Sequence, residues 1–216
     1  MNFQQRLKNE TMNTENKVSI TILVPAGRLP LEIMKTVSQL AEKHSFHLYL
    51  SISQNLRLID VPESAAEEIK ATLAAGGAEF KAPGKFPLPR VCVGMDHCNL
   101  AVIDTEALNR KILDKFAGRK HTKAKFKIAI SACTMCCSGV KTTDIGIMAT
   151  RDGYELFAGG KGGPFPKIGR RIARNASEET ILEMTEALVE FHDKKTEKKQ
   201  RMYKLLDDLQ FPYQEK

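Results

Sequence analysis

Cys92-Val-Gly-Met-Asp-His-Cys98 and Cys133-Thr-Met-Cys136-Cys137 are the two stretches that decide how this chain is read. Together they hold all five cysteines. The first is a C-x5-C and the second a C-x3-C with one extra thiol inside it. Polar Met1 to Lys17 has no apolar core of a secretory signal, so a cytoplasmic, reducing setting is expected. Five thiols there are poor disulfide candidates, and an odd number leaves one over. Two thiol groups in short loops beside Gly94 and Gly139 point instead to a metal or redox site. An iron–sulfur cluster needs several thiolates converging on it, and each loop can wrap one side. Structural zinc is the alternative, but it prefers tight C-x2-4-C knuckles, and C-x5-C is wide for one. Inert buried thiols would have no reason to gather in two loops.

Composition sets the outer limits. The 216 residues and 24.1 kDa suit one or two compact domains with a sizeable core. A hydrophobic fraction of 42% and a charged fraction of 27% are ordinary for a globular chain. No apolar run approaches the roughly 20 residues of a membrane span. The net charge of +7 favours an anionic partner, substrate or cofactor. Nucleic acid is the plainest such partner, but there is no helix-turn-helix, zinc-finger or RNA-binding signature and no Trp for stacking, so it is not expected.

Around the cysteines the pattern is α+β. Residues 1–16 read as a disordered polar tail. Over 17–83, β-branched Val18 to Val24 forms a strand, and Pro30 opens a helix to His44. Phe46 to Ser51 and Leu56 to Val61 make a hairpin turning at Gln54-Asn55. Pro62 starts a second helix that stops at Gly76-Gly77, and a strand follows near Glu79. That order is ferredoxin-like. Residues 84–216 then form an α/β cluster-bearing domain. A proline-rich connector, Lys81 to Pro89, leads into it. A helix is expected from Asn99 to Phe116 and a strand from Phe126 to Ser131. Two strands follow, Asp144 to Ala149 and Tyr154 to Ala158, around Asp152-Gly153. Gly159 to Pro164 reads as a flexible basic loop. Ser177 caps a helix to about His192, and a second charged helix is expected from Thr196 to Leu209. Arg170, Arg171 and Lys194 to Lys199 read as a solvated face.

The two cysteine loops with their flanks, Asn99 to Thr105, Lys125-Phe-Lys127-Ile-Ala-Ile-Ser131 and Asp144-Ile-Gly146, resemble the nitrite/sulfite reductase family. Pro25-Ala-Gly-Arg28, Leu50 to Leu58 with Gln54 and Arg57, and Gly159 to Gly163 resemble further parts of it, so the likeness covers nearly everything from Val18 onward. Within the family the chain is most similar to the low-molecular-weight assimilatory-type sulfite reductases. The resemblance implies a ferredoxin-like half-domain followed by a domain that binds a [4Fe–4S] cluster and sirohaem. It implies Cys92, Cys98, Cys133 and Cys137 as cluster ligands, with Cys137 bridging to sirohaem and Cys136 packed nearby. It also implies six-electron reduction of sulfite to sulfide, or of nitrite to ammonia.

The same resemblance assigns Lys125 and Lys127 to the substrate anion, and period-two alternation would put both on one strand face. Arg28 and Arg57 are further catalytic candidates. Arg90, Gln54, Gly160 and Lys161 are candidates for the sirohaem carboxylates, glycines letting backbone N–H groups approach an anion. The implied partners are a small anion, an electron donor such as ferredoxin, and a second wall for the pocket, from an identical subunit or the chain itself. Departures from the family pattern fall at Ala132, Thr134 and Met135, and at Tyr49 and Ser53, where arginines are usual. Those lost arginines motivate a rival: a cluster-carrying electron-transfer or sirohaem-binding protein without reductase activity. A zinc-stabilised nucleic-acid module is a third reading.

Overall fold

The computed structural model describes residues 15–116, 118–123, 125–195 and 201–216. The chain divides into two compact units: one runs to Val24 and resumes over Leu29–Lys81, the other comprises Pro25–Arg28 and Ala82–Lys216.

The first unit is built on β1 (Lys17–Leu23), α1 (Leu31–His44), β2 (His47–Leu50), β3 (Leu56–Pro62), α2 (Ala66–Ala75) and β4 (Glu79–Phe80). Its antiparallel sheet has the order β2-β3-β1-β4. This βαββαβ succession bears out the ferredoxin-like half-domain. Alternation along β1 and β3 sends Ile20, Ile22, Leu56 and Leu58 inward. Helical spacing brings Ile33, Val37 and Leu40 of α1, and Ile69 and Leu73 of α2, onto the same core. Residues 1–14 of the expected tail lie outside the described residues. Glu15 and Asn16 do make contacts: the Asn16 carbonyl accepts from Glu63 N–H at 2.9 Å, and Ser64 bonds the Glu15 carboxylate.

The second unit carries β5 (Arg90–Val91), α3 (Thr105–Phe116), β6 (Ile128–Ser131), β7 (Ile145–Thr150), β8 (Gly153–Ala158), β9 (Arg170–Ala176) and α4 (Glu178–Lys195). Its five strands lie in sequence order, β5, β6 and β7 parallel and β7, β8 and β9 antiparallel. β6 is buried throughout and β7 nearly so, as their unbroken apolar runs require. Helices α3 and α4 are linked by ion pairs from Lys111 to Glu178 and Lys115 to Glu186, and Arg119, just past α3, pairs with Asp193 of α4. Among the described residues no helix is long and apolar enough to cross a membrane.

Several boundaries differ from the expectation. The helix begins at Thr105, not Asn99, because Asp104 Oδ1 accepts the N–H groups of Glu106 and Ala107 at 2.8 and 3.1 Å and caps it there. The strand expected from Phe126 begins at Ile128. Lys125 has a left-handed φ of 76°, so alternation does not extend to Lys125 and Lys127, and the shared-face argument fails. β9 went unrecognised because its Arg-Arg-Ile-Ala-Arg-Asn-Ala run is poor in β-formers; strand pairing with β8 overrides that. Arg170 and Arg171 are therefore not merely a solvated face. Arg170 pairs with Asp207 and bonds the Leu206 carbonyl, and Arg171 pairs with Glu155. The expected C-terminal helix is corrected too. Residues 196–200 lie outside the described residues, and 201–209 hold only a short 3-10 turn, Met202–Lys204.

Candidate metal and cofactor centre

Parallel pairing sets the geometry. Val91 of β5 lies opposite Ile130 of β6, so both strands end on the same side of the sheet. Cys92 is the first residue past β5, and Cys133 the second past β6. Cys92 N–H donates to the Ile130 carbonyl at 3.2 Å. Ala132 N–H donates to Cys92 Sγ at 3.1 Å, the kind of bond a thiolate accepts well. The loop through Cys98 folds back on the same edge: Val102 N–H donates to the Ala132 carbonyl at 2.9 Å and Met95 N–H to the Ile103 carbonyl at 3.1 Å. The C-x5-C and C-x3-C loops thus meet at one sheet end.

All five thiols are free; Cys137 is exposed and the other four are half-buried. Among the described residues no three His, Cys, Asp or Glu side chains close on one point as ligands of a single metal ion. Two turns shape the second loop. Cys136 N–H bonds the Cys133 carbonyl at 3.3 Å, and Gly139 N–H bonds the Cys136 carbonyl at 2.8 Å, with left-handed φ at both Cys136 and Gly139. The Cys136 side chain packs against the cluster of Ala129, Val140, Met148 and Phe157.

Two arginines from the candidate set brace these loops. Arg90 Nε donates to the Ser138 carbonyl at 2.5 Å and Nη2 to Thr143 Oγ1 at 3.3 Å, and burial lowers the guanidinium pKa. Arg28 Nη2 donates to the Val93 carbonyl at 3.3 Å while its Nε pairs with Glu106 at 3.0 Å. A pocket of about 330 Å3 opens beside the third cysteine, lined by Leu100, Val102, Cys133, Met135 and Arg151 among others. Gln54 and Arg57 belong to the first unit. Gln54 sits in the hairpin turn at φ 61°, and exposed Arg57 pairs in register with Tyr49 across β2 and β3.

The glycine loop is anchored, not free. Lys161 and Lys167 exchange backbone hydrogen bonds of 2.9 and 2.7 Å, and Gly169 N–H bonds the Lys141 carbonyl at 2.7 Å. A Cβ on Gly160 would stand 2.5 Å from the Lys141 carbonyl oxygen and 2.6 Å from Thr143 N. Those are backbone atoms four and six residues past Cys137, so they cannot step aside cheaply. Gly160→Ala is expected to cost about 1–3 kcal/mol by overpacking. A lowered urea midpoint with an unchanged slope would register it; a midpoint equal to the wild type's would refute the close approach.

Sequence reasoning quoted Asp144 within the family resemblance but gave no role to this residue, which ties the region together. Asp144 is fully buried. Its Oδ1 accepts Arg201 Nε at 2.7 Å and Met202 N–H at 3.0 Å, and its Oδ2 accepts Lys127 N–H at 3.1 Å. Its backbone carbonyl accepts Gly159 N–H at 2.8 Å. Burial raises the carboxyl pKa, outweighing the Arg201 guanidinium that pulls it down. Beside that resemblance, the sequence signal was an acid standing immediately before a largely apolar strand.

Comparison with known proteins agrees with this geometry. Residues 88–211 match the family model "Nitrite and sulphite reductase 4Fe-4S domain", and residues 11–76 match "Nitrite/Sulfite reductase ferredoxin-like half domain". The chain belongs to the nitrite and sulphite reductase family. Members are oxidoreductases carrying a [4Fe–4S] cluster and sirohaem. The large subunit of the NADH nitrite reductase of Escherichia coli K12 is 27% identical over 86% of this chain and 22% of its own length. An assimilatory-type sulfite reductase of Nitratidesulfovibrio vulgaris is 25% identical over 85% of this chain and 84% of that protein. The chain spans about a fifth of the length of the first curated relatives it matches. Among solved structures, Mycobacterium tuberculosis NirA shares the fold with a TM-score of 0.71 at 17% identity, over 87% of this chain and 37% of that one.

Proposed function

We propose that this member of the family is a sirohaem-dependent reductase that takes sulfite to sulfide with six electrons, nitrite to ammonia being the alternative substrate chemistry. The observation that carries the reading is the meeting of the two cysteine loops at one sheet end, with Cys137 alone exposed. In this reading Cys92, Cys98, Cys133 and Cys137 would hold the [4Fe–4S] cluster, and exposed Cys137 is the thiol that sirohaem would meet. The donor set fits: four free thiols, one of them already accepting a backbone N–H. When bound, the paired group supplies electrons singly to the anion's central atom.

The chain's own residues do the rest. Lys125 and Lys127 would neutralise the anion's oxygens, and their ammonium groups would hand over protons. Arg28 and Arg90 act through the loops they brace, keeping the thiolates in place. Gly160 and Lys161 would offer a backbone approach and a charge to sirohaem carboxylates. The electron donor is an acidic carrier such as ferredoxin, drawn by the chain's net charge of +7. Support for sulfite comes from the Nitratidesulfovibrio relative, which is matched over most of both chains.

The test is protein purified without air. A sirohaem absorption band, acid-labile sulfide and sulfite-dependent oxidation of methyl viologen are expected. Both cofactors with no turnover of sulfite or nitrite would instead make the chain a carrier. Absence of both cofactors would end either reading.

A further inference from the structure

Several basic side chains of the second unit are answered by acids: Lys111, Lys115, Arg119, Arg170, Arg171 and Lys195 each meet a carboxylate. Lys161 and Lys167 meet none among the described residues. Instead both ammonium groups stand over one aromatic ring, Tyr203, at 5.3 and 5.2 Å from its centre. The arrangement is braced from three directions. The backbone pairing of Lys161 with Lys167 sets their spacing. Arg201, two residues before the ring, is pinned by buried Asp144 and by the Gly160 carbonyl at 3.2 Å. A third ammonium with no carboxylate partner among the described residues, Lys141, lies over Phe157 at 5.7 Å, and its backbone carbonyl holds Gly169.

Two like charges on one ring repel each other, and cation–π attraction at a solvent-facing site returns only about 0.5–1 kcal/mol apiece. An arrangement held so firmly with no counter-charge among the described residues is preorganised for one brought from outside. The loop also exposes Phe165, at 78%, and Ile168, at 67%, so apolar surface stands beside the charges. Lys141 follows exposed Cys137 by four residues. The ligand that matches this is a flat, largely apolar body edged with adjacent carboxylates.

Resting on the proposed function, we propose that Lys161 and Lys167, seated on Tyr203 and aided by Lys141, form a two-carboxylate clamp for the rim of sirohaem. Lys167 and Tyr203 are then cofactor-positioning residues, and the ring's task is to hold two lysines at the spacing of neighbouring carboxylates.

The experiment follows sirohaem retention by the full-length, anaerobically purified protein during gel filtration at rising salt, with acid-labile sulfide measured in the same fractions. Lys167→Met should release sirohaem about tenfold faster than wild type, and Lys161→Met/Lys167→Met faster still, at unchanged sulfide content. Lys167→Arg should restore retention. Tyr203→Phe should behave as wild type and Tyr203→Leu should not, since only the ring face is needed. Salt should speed release from wild type more than from the double variant. A double variant that keeps its sirohaem as wild type does overturns the clamp and leaves the reductase reading standing. Wild-type protein that takes up no sirohaem overturns both. Clamp behaviour as described, in a protein that turns over neither sulfite nor nitrite, overturns the reductase reading alone.

Discussion

Asp144→Ala is expected to destabilise the protein by about 3–5 kcal/mol, because it leaves a largely buried guanidinium without its counter-charge. For a chain of this size that is a fall of roughly 6–20 °C in the thermal midpoint. Three polar partners lose their acceptor at once: Arg201 Nε, Met202 N–H and Lys127 N–H. The damage should be directional. Residues 201–216 lose their anchor first, so limited proteolysis should cut there before the sheet unfolds. Asp144→Asn keeps an acceptor oxygen and should cost less, though Arg201 still loses its charge partner. Circular dichroism melts of the three proteins decide the matter. An Ala variant that melts within a degree or two of wild type would show that the carboxylate is dispensable. The ion pair itself is a positioning device: burial of its carboxyl raises the pKa, the mark of a charge kept at a cost.

The second large effect separates two adjacent thiols. Cys137→Ser is expected to abolish electronic coupling between the cluster and sirohaem, and to lower iron and acid-labile sulfide per chain. Cys136→Ala should leave both intact and cost on the order of 1 kcal/mol in lost packing against Val140, Met148 and Phe157. The distinction is physical. Cys137 is exposed, whereas Cys136 occupies a left-handed turn with its side chain against an apolar cluster. Iron and sulfide analysis with visible spectroscopy reads both variants. Loss of the cluster from Cys136→Ala together with its survival in Cys137→Ser would exchange the two assignments.

Much of this was legible in the sequence for reasons of local physics. The ferredoxin-like half shows because each of its elements carries its own pattern: β-branched alternation in β1, a 3.6-residue apolar period in α1, and paired glycines after α2. The cysteine spacings were legible too, since ligand distance along a short loop is nearly a local quantity. Where local signals were weak, the reading erred. β9 is arginine-rich and becomes a strand only because β8 offers it a partner. The helix before Phe116 starts at its Asp104 cap and not where helix-forming residues first appear. Lys125 looked like part of a strand until its left-handed turn was seen.

What the sequence by itself determined was the inventory: two cysteine loops, a half-domain, a basic chain and a glycine loop, all set by neighbours within a few residues. What only the tertiary structure decided was which of these meet. The parallel register of β5 and β6 puts Cys92 and Cys133 at one sheet end, although they are far apart in the chain. Buried Asp144 joins Lys127, Gly159 and Arg201, and Tyr203 gathers Lys161 and Lys167. Such contacts depend on sheet register and on the burial of single charges, and neither leaves a periodic trace in the sequence.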